Sequence, residues 1–473
     1  MKQSRPGVNS EQEHIDALLI NPSIDFDHDK AYLTNLSIDP EIPRQQSPNI
    51  GMGYLIAFAK KNGFKVKYID MVAHMFSIDQ LLTYISSSKP ILIGFTAYTV
   101  QIYSVEIVAK EIKKRYPNIT ITIGGAHATA IPRETLSECP SIDFAICGEG
   151  EYPFVQVIER LKQRISVKNV LGVVGRNDTE YSFDSLEIKH KQGGQTKLED
   201  LPFPDWSVFD LSKYPGVDPH HTNLELPVST SRGCPSKCVF CVRPFGRIRR
   251  KRTIQSIVQE IKYNIAEYGC ESIFFADETF VADINFSRKL FDAFIKEGLY
   301  KKIRWSCETR VDFISEDLFS KMKEAGCYYV FFGIESGNDH VLKIVNKGFS
   351  VNQIKKAVQL AKNAKLICSG SFILGLPGET EKSILDSIKL AKELDIYSVT
   401  FPIACPFPGT EIRRMAKENE YGLRILSNRW DKYGKQYPGV MDSETLTIDK
   451  LRELQKKAYD YNPKKPFPKE LLK

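Results

Sequence analysis

The sequence has no run close to the ~20 apolar residues that span a bilayer. Its N-terminus, MKQSRPGVNSEQEHID, also lacks the apolar core of a signal peptide. These absences predict a cytoplasmic protein in which thiols stay reduced. The balance of 65 Lys and Arg against 58 Asp and Glu is too even to indicate nucleic-acid binding. A length of 473 residues, with 42% hydrophobic and 26% charged residues, is typical of a globular protein.

Residues 1–162 alternate short apolar segments with amphipathic ones. One helix is predicted over Ile50–Lys61, where Ile50, Tyr54 and Phe58 recur at helical spacing and Asn62-Gly63 follows. Strands are predicted at 17–20, 65–69, 91–95, 119–123 and 144–147. Strict βα alternation predicts an α/β domain with a doubly wound parallel sheet and helices on both faces.

Polar and glycine-rich turns follow four of these strands. They are Asn21-Pro22-Ser23, Thr96-Ala97-Tyr98-Thr99, Gly124-Gly125-Ala126-His127 and Gly148-Glu149-Gly150-Glu151. Parallel sheets bind ligands at the carboxyl ends of their strands, and glycine lets the backbone approach a ligand closely. Any one of these segments can be explained as a tight turn. The four together predict a rim that binds a large flat ligand.

The remaining chain is predicted to form three further parts. Residues 163–206 make a small β-rich connector, with strands at 170–174 and 182–190, that ends in the proline-stiffened segment LPFPDW. Residues 207–415 repeat the βα pattern six times, which predicts a partial (β/α)6 barrel. Its strands are expected at 226–230, 272–276, 303–307, 329–333, 369–374 and 397–402. Residues 416–473 are expected to form helices that cover the open side of the barrel.

Three of the ten cysteines, Cys234, Cys238 and Cys241, are spaced C-x3-C-x2-C after the first barrel strand. Three thiolates on one loop can hold three irons of a 4Fe-4S cluster, which leaves the fourth iron open to a small molecule. The alternative, a structural zinc site, needs a fourth Cys or His. None lies within ten residues on either side, so the spacing favours a cluster.

With Phe240 before its last cysteine, this motif resembles that of the radical S-adenosylmethionine enzymes. The resemblance continues in FADETF (275–280), CETR (307–310), GIESG (333–337), FILGLPGET (372–380) and PFPGTE (406–411). It implies that Cys234, Cys238 and Cys241 hold the cluster. It also implies contacts to S-adenosylmethionine from Phe240, Glu278 (amino group), Arg310 (carboxylate), Glu335 (ribose) and Gly375 (in the adenine-binding turn). Structural ion pairs of Glu278, or of Arg310 with Glu308 or Glu335, are the alternative.

The order of sheet, LPFPDW connector and cluster domain is similar to that of the cobalamin-binding radical S-adenosylmethionine enzymes, many of which are methylases. IGGAHATA (123–130) and CGEGE (147–151) carry this similarity. It implies a flavodoxin-like cobalamin domain with contacts from Thr96, Tyr98, Gly124, Gly125, His127, Gly148, Glu149 and Gly150. The usual Asp-x-His-x-x-Gly motif is replaced by Asp70-x3-His74, so no lower cobalt ligand is assigned to His74. The domain could also have lost cobalamin.

The resemblance implies an enzyme that splits S-adenosylmethionine to a 5′-deoxyadenosyl radical and, with cobalamin, methylates an unactivated carbon of a small molecule. A flavodoxin or ferredoxin would supply electrons. A radical cyclase of the anaerobic porphyrin-ester cyclase type, a non-catalytic iron–sulfur or cobalamin sensor and a zinc-stabilised scaffold stay open. A methylthiolating enzyme is disfavoured because only Cys139 and Cys147 precede residue 200. The basic run 247–252 is predicted to be solvated or to bind an acidic partner.

Overall fold

The computed structural model describes residues 14–23, 47–178, 196–214, 216, 224–434, 439–462 and 465. The strand predicted at 182–190 lies outside these residues. They contain two six-stranded sheets and two short two-stranded ones. Among them, no helix has the length and apolar character needed to cross a membrane.

The first large sheet has the strand order β2-β1-β3-β4-β5-β6. Its strands are β1 (Ala17–Asn21), β2 (Val66–Asp70), β3 (Leu92–Thr96), β4 (Thr120–Gly124), β5 (Phe144–Ile146) and β6 (Val173–Gly175). The first five are parallel in the order typical of flavodoxin, so the predicted doubly wound sheet is confirmed. Strand β6 pairs antiparallel with β5. The predicted connector therefore adds its described strand to the first sheet.

Helices cover this sheet, and side-chain caps fix several of their ends. They are α1 (Ile50–Lys61), α2 (Met71–His74), α3 (Ile78–Ser88), α4 (Ile102–Arg115), α5 (Ala126–Ala130), α6 (Pro132–Glu138) and α7 (Glu151–Lys162). Helix α1 has the bounds that the sequence predicts. Asn49 accepts a hydrogen bond from the Met52 N–H at its start, and Gly63, with φ +83°, follows its end.

The second large sheet consists of six parallel strands that neighbour one another in chain order. They are β7 (Glu225–Val228), β10 (Ser272–Phe275), β11 (Arg304–Thr309), β12 (Cys327–Glu335), β13 (Ile367–Phe372) and β14 (Ser398–Thr400). Because β7 and β14 stand at opposite edges, the sheet is the predicted partial (β/α)6 barrel. Its helices are α8 (Ile254–Tyr268), α9 (Ile284–Lys296), α10 (Glu316–Glu324), α11 (Asp339–Ile344), α12 (Val351–Asn363) and α13 (Glu381–Leu394).

Between β7 and β10 the chain forms a short antiparallel hairpin of β8 (Ser231–Arg232) and β9 (Arg250–Lys251). The three clustered cysteines lie in the loop of this hairpin, which we call the cluster hairpin (231–251). The loop is thus anchored at both ends on one pair of strands rather than hanging from a single strand.

The C-terminal part is only partly helical. Helices α14 (Glu411–Lys417) and α15 (Ile448–Tyr461) flank an antiparallel pair, β15 (Leu423–Ile425) and β16 (Met441–Ser443), which the sequence analysis did not predict. Helix α15 lies beside the β14 edge of the barrel. There, the Phe401 N–H donates to the Tyr459 hydroxyl (3.0 Å), and the Gln455 amide donates to the Phe401 carbonyl (2.7 Å).

The LPFPDW segment docks on helix α1. Trp206 is fully buried, and its ring packs against Gly53. A Cβ at Gly53 would stand 2.9 Å from the Pro204 Cβ and 3.0 Å from the Trp206 ring, so only glycine allows this approach.

We expect Trp206→Ala to lower the free energy of unfolding by about 3–5 kcal/mol, because the buried ring would leave a cavity. Urea denaturation followed by circular dichroism measures the loss. Ile165→Ala, at a half-exposed position on the same sheet's periphery, should change it by less than about 1 kcal/mol. Equal losses in the two variants would contradict the docking of the connector.

Candidate active site between the two sheets

A cavity of about 750 Å³ separates the carboxyl ends of the two large sheets. The first sheet contributes the loop after β3 and the start of α5. The barrel contributes the cluster hairpin and the residues that follow or end β10, β11, β12, β13 and β14. Polar side chains that are far apart in sequence therefore meet, because parallel strands end at one edge.

The three clustered cysteines all line this cavity. Cys234 and Cys238 are buried, and Cys241 is half-buried. Burial, reinforced by the neighbouring Cys238 and Cys234 thiols, raises the pKa of Cys241 to about 12. The three sulfur atoms are thus close enough to interact electrostatically. No group of three His, Cys, Asp or Glu among the described residues is arranged to hold a single metal ion, whereas in a cubane each thiolate binds its own iron.

The cluster hairpin fixes the backbone around these thiols. Gly233 has φ +93°, and a Cβ there would stand 2.2 Å from the Ile248 carbonyl oxygen. The Cys234 N–H donates to the Gly246 carbonyl at 3.1 Å. Only glycine fits this crossing, so Gly233 brings the cysteine loop against the returning strand.

Arg310, which the resemblance assigns to the S-adenosylmethionine carboxylate, is buried at the cavity wall. Its Nε and Nη2 donate to the two carboxylate oxygens of Asp312, at 3.0 and 2.8 Å, and the Lys347 carbonyl accepts a further bond. Its Nη1 lies 3.8 Å from Cys238 Sγ. Asp312, rather than Glu308 or Glu335, therefore orients this guanidinium beside the thiols.

Glu278 and Asp277 have different environments although they are adjacent. Asp277 is buried and accepts hydrogen bonds from the Thr230 N–H (2.9 Å) and hydroxyl (2.7 Å), which joins the ends of β7 and β10. Glu278 faces the cavity. The surrounding protein raises its pKa to about 7, mainly by desolvation, and Asp277 adds to this while the Gly233 N–H opposes it. Of the two carboxylates, only Glu278 is available to a ligand.

Lys347 also lines the cavity, and the sequence analysis missed it. It is buried, and its Nζ lies 2.8 Å from Glu335 Oε1 and 5.8 Å from the Phe240 ring centroid. Burial disfavours the ammonium, but Glu335 outweighs burial and raises the pKa of Lys347. Glu335 has φ +67° at a register shift in β12. The available signal was a single lysine between the apolar residues Val345 and Phe349.

From the first sheet, Tyr98 and His127 reach the cavity. His127 Nδ1 lies 3.1 Å from the Thr99 hydroxyl, while its buried Nε2 has no hydrogen-bond partner. The ring packs edge-on against Trp430, with centroids 4.9 Å apart. Burial, with a smaller contribution from Arg413, lowers the pKa of His127 to about 3, so the imidazole is neutral.

Seven other residues that the sequence analysis assigned to cofactors are not in the cavity wall: Thr96, Gly124, Gly125, Gly148, Glu149, Gly150 and Gly375. Gly125 (φ +100°) serves backbone packing, since a Cβ there would stand 2.7 Å from the Ala97 carbonyl oxygen. The Gly375 N–H is bonded to Glu379, and Ile373 lines the cavity instead. His74 is also outside the cavity wall, and its Nδ1 is within hydrogen-bond distance of the Asp70 carbonyl oxygen, at 2.8 Å.

Comparisons with known proteins agree with this architecture. Residues 228–391 match the Radical SAM superfamily, and residues 43–158 match the B12 binding domain. The uncharacterized methyltransferase PH0819 of Pyrococcus horikoshii is 32% identical over 427 residues, which cover 87% of this chain and 87% of that protein. The chain therefore belongs to the radical S-adenosylmethionine superfamily, among the members that carry a B12 binding domain.

Two further similarities are more distant. The anaerobic magnesium-protoporphyrin IX monomethyl ester cyclase of Rubrivivax gelatinosus is 28% identical over 412 residues, which cover 85% of this chain and 71% of the cyclase. The solved structure of the radical S-adenosylmethionine methyltransferase TsrM from Kitasatospora setae, with cobalamin and a 4Fe-4S cluster bound, matches with a TM-score of 0.70 at 17% identity. It covers 93% of this chain and 90% of TsrM, which shows a shared fold.

Lys347→Met should destabilise the cofactor-free protein by about 3–5 kcal/mol, because it leaves the Glu335 carboxylate buried without its partner. The double variant Lys347→Met/Glu335→Gln should recover most of this loss, since neither charge remains. Urea denaturation of the native protein, of Lys347→Met and Glu335→Gln singly, and of the double variant tests the expectation. Additive losses in the double variant would show that the two side chains are not coupled.

Proposed function

We propose that this protein is a cobalamin-dependent radical S-adenosylmethionine methyltransferase that acts on a small molecule. The observation that carries the proposal is the single cavity in which Cys234, Cys238 and Cys241 meet cationic and anionic side chains of the barrel and the loops of the B12-binding sheet. The name of the Pyrococcus horikoshii relative supports methyl transfer. The domain limits that we propose are 1–162, 163–206, 207–415 and 416–473.

The residues present fit a 4Fe-4S cluster and S-adenosylmethionine. Cys234, Cys238 and Cys241 would hold three irons, and Cys241 is the most exposed of the three. A reduced cluster would supply the electron that cleaves the carbon–sulfur bond of S-adenosylmethionine, and cobalamin would carry the methyl group. A flavodoxin or ferredoxin is the proposed electron donor.

The charged side chains of the cavity complement the methionine part of S-adenosylmethionine. Arg310 presents a cation beside Cys238, where it is placed to bind a carboxylate. Glu278 is placed to accept hydrogen bonds from an ammonium group. Glu335, held by Lys347, offers its remaining acceptor capacity to ribose hydroxyls. Phe240, which also lines the cavity, is an apolar neighbour of these charged side chains.

Cobalamin would bind where Tyr98, Thr99 and His127 border the cavity. The neutral His127 ring has a free Nε2, which can make one hydrogen bond to a bound molecule. The wall beyond it includes the apolar residues Phe407 and Ile403, which would help to keep water away from a reactive radical. Cobalamin contacts from the rest of the rim that the four turns predict, which lies outside the wall of this cavity, stay a prediction.

Oxidative ring formation is the second candidate, because the Rubrivivax gelatinosus relative is a cyclase. Turnover with S-adenosylmethionine that carries a deuterated methyl group distinguishes the two reactions. The protein is incubated with a deproteinised metabolite extract, and products are followed by mass spectrometry. A methyltransferase places the label in the product. A product that loses hydrogen and carries no label would establish the cyclase and overturn methyl transfer.

The proposal as a whole is tested by anaerobic reconstitution followed by iron, zinc and corrinoid analysis and an assay for 5′-deoxyadenosine. We expect about four irons per chain, bound corrinoid and 5′-deoxyadenosine formed after reduction. Zinc in place of iron would establish the scaffold alternative. Iron or corrinoid without any 5′-deoxyadenosine would establish a sensor.

Arg310→Ala should weaken S-adenosylmethionine binding by about 10- to 100-fold, the equivalent of losing a charge-assisted hydrogen bond of about 1.5–3 kcal/mol. Equilibrium dialysis of the reconstituted protein measures this change, with iron content as a check on the cluster. Arg288→Ala, which removes an exposed ion pair with Asp317 on the outer helices, is the matched control and should bind normally.

A further inference from the structure

Two carboxylates of the first domain reach across to the cluster hairpin. Arg232, on strand β8, donates from Nη1 to Glu149 Oε1 at 3.0 Å and from Nη2 to Glu151 Oε1 at 2.7 Å. Glu149 precedes helix α7, and Glu151 is its first residue. One guanidinium of the barrel domain is therefore held by two carboxylates from the opposite sheet.

The returning strand of the hairpin binds the same carboxylate. Arg250, which pairs with Arg232 between β8 and β9, donates to Glu149 Oε1 at 2.7 Å and to Oε2 at 3.1 Å. The Thr196 N–H also donates to Glu149 Oε2, at 3.2 Å. Both strands of the cluster hairpin thus converge on Glu149.

This group of charges is buried. The side chains of Arg232, Glu149 and Glu151 are exposed by only 7%, 4% and 5%. Burial alone would raise the pKa of Glu149, but Arg232 and Arg250 hold it below its usual range. The Arg232 guanidinium also stacks over Tyr54 of α1, at 5.0 Å from the ring centroid. Because a buried charge is tolerated only when paired, these contacts favour the observed position of the hairpin against the first domain.

That position is transmitted to the thiols over a very short distance. Gly233 alone separates Arg232 from Cys234 in the sequence. Gly233 also crosses so close to the Ile248 carbonyl that a Cβ would not fit there. A shift of Arg232 therefore moves Cys234. Arg252, next to the hairpin, also donates to the Tyr54 hydroxyl of the first domain at 3.2 Å, whereas the contact of the Trp430 indole with Glu138 lies outside the hairpin.

We propose that Glu149 and Glu151 are positioning residues through which the B12-binding domain sets the orientation of the cysteine loop. The role concerns the cluster proposed above, although the contacts themselves are made without it. It reassigns Glu149 from cobalamin contact to loop anchor. It also gives the basic run 247–252 a structural partner, because Arg250 bonds Glu149 rather than an external anion.

Thiol labelling of the full, cofactor-free chain tests this role. Glu149→Gln and Glu151→Gln are treated with iodoacetamide, and the alkylation rate of each cysteine is followed by mass spectrometry. We expect Cys234 and Cys238 to label at least 10-fold faster than in the native chain. The buried barrel thiols Cys307 and Cys368 should keep their rates, because the barrel itself is unchanged.

Asp70→Asn is the control at a buried carboxylate away from the hairpin. Asp70 is fully buried, but its carboxylate accepts hydrogen bonds from Asn21 (3.0 Å) and Tyr214 (2.9 Å) rather than from the cluster hairpin. This variant should leave the labelling of Cys234 and Cys238 at the native rate. The Glu149→Gln variant could unfold, and alkylation of all its thiols would then accelerate together. In that case the Glu151→Gln variant tests the role, because it leaves the Glu149–Arg250 pair intact.

Three results would overturn the role. The first is a native labelling rate in both variants, and the second is an equal increase in the control. The third is an increase in Glu151→Gln that Cys307 shares. A spectroscopic measurement separates positioning from stability. Reconstituted Glu151→Gln should bind iron as the native chain does, but S-adenosylmethionine should shift the electron paramagnetic resonance signal of fewer than half of its clusters. A full shift would also overturn the role. Failure of the native chain to bind iron would refute the proposed function, while the labelling result would still decide the anchor.

Discussion

Four paired charges at the domain interface constrain how the two domains meet. Arg232 and Arg250 come from the barrel domain, and Glu149 and Glu151 come from the first sheet. None of them can be desolvated alone, because an unpaired buried charge is strongly unfavourable. The observed orientation of the two sheets pairs all four side chains. In that orientation, the carboxyl ends of both sheets face each other across a common cavity.

The same principle orders the interior of the cavity. Lys347 is buried only because Glu335 is within hydrogen-bond distance, and Arg310 is held by both oxygens of Asp312. These pairs fix the direction of each charge before any ligand arrives. Such preorganisation lowers the cost of ordering the site on binding. Cys241 differs, because burial and the neighbouring thiols raise its pKa, and a bound metal would compensate the charge of its thiolate.

Sequence patterns predicted the parts of this architecture that depend on local order. Both parallel sheets follow from βα alternation. The approach of the cysteines to Glu278, Arg310 and Glu335 follows from their positions near strand ends. What the patterns missed depends on partners far away in the chain. Glu149 looks like a rim residue until its partner, 83 residues later, is known. A glycine-rich turn alone does not distinguish close approach of a ligand from backbone packing. At Gly125 the structure shows close packing against the Ala97 backbone.

The remaining wall of the cavity comes from the segment least predictable from sequence. Arg413 stacks on Trp430 and Tyr433, with centroid distances of 4.9 and 5.8 Å, and Tyr433 lines the cavity. The Trp430 indole donates to Glu138 of the first domain. This aromatic group therefore joins the C-terminal part to the opposite sheet and encloses His127. Burial, with a smaller contribution from Arg413, lowers the pKa of His127, so the imidazole is neutral and keeps one hydrogen-bonding nitrogen for a bound molecule. A neutral polar group in a buried wall can orient a ligand without adding a charge that would have to be desolvated.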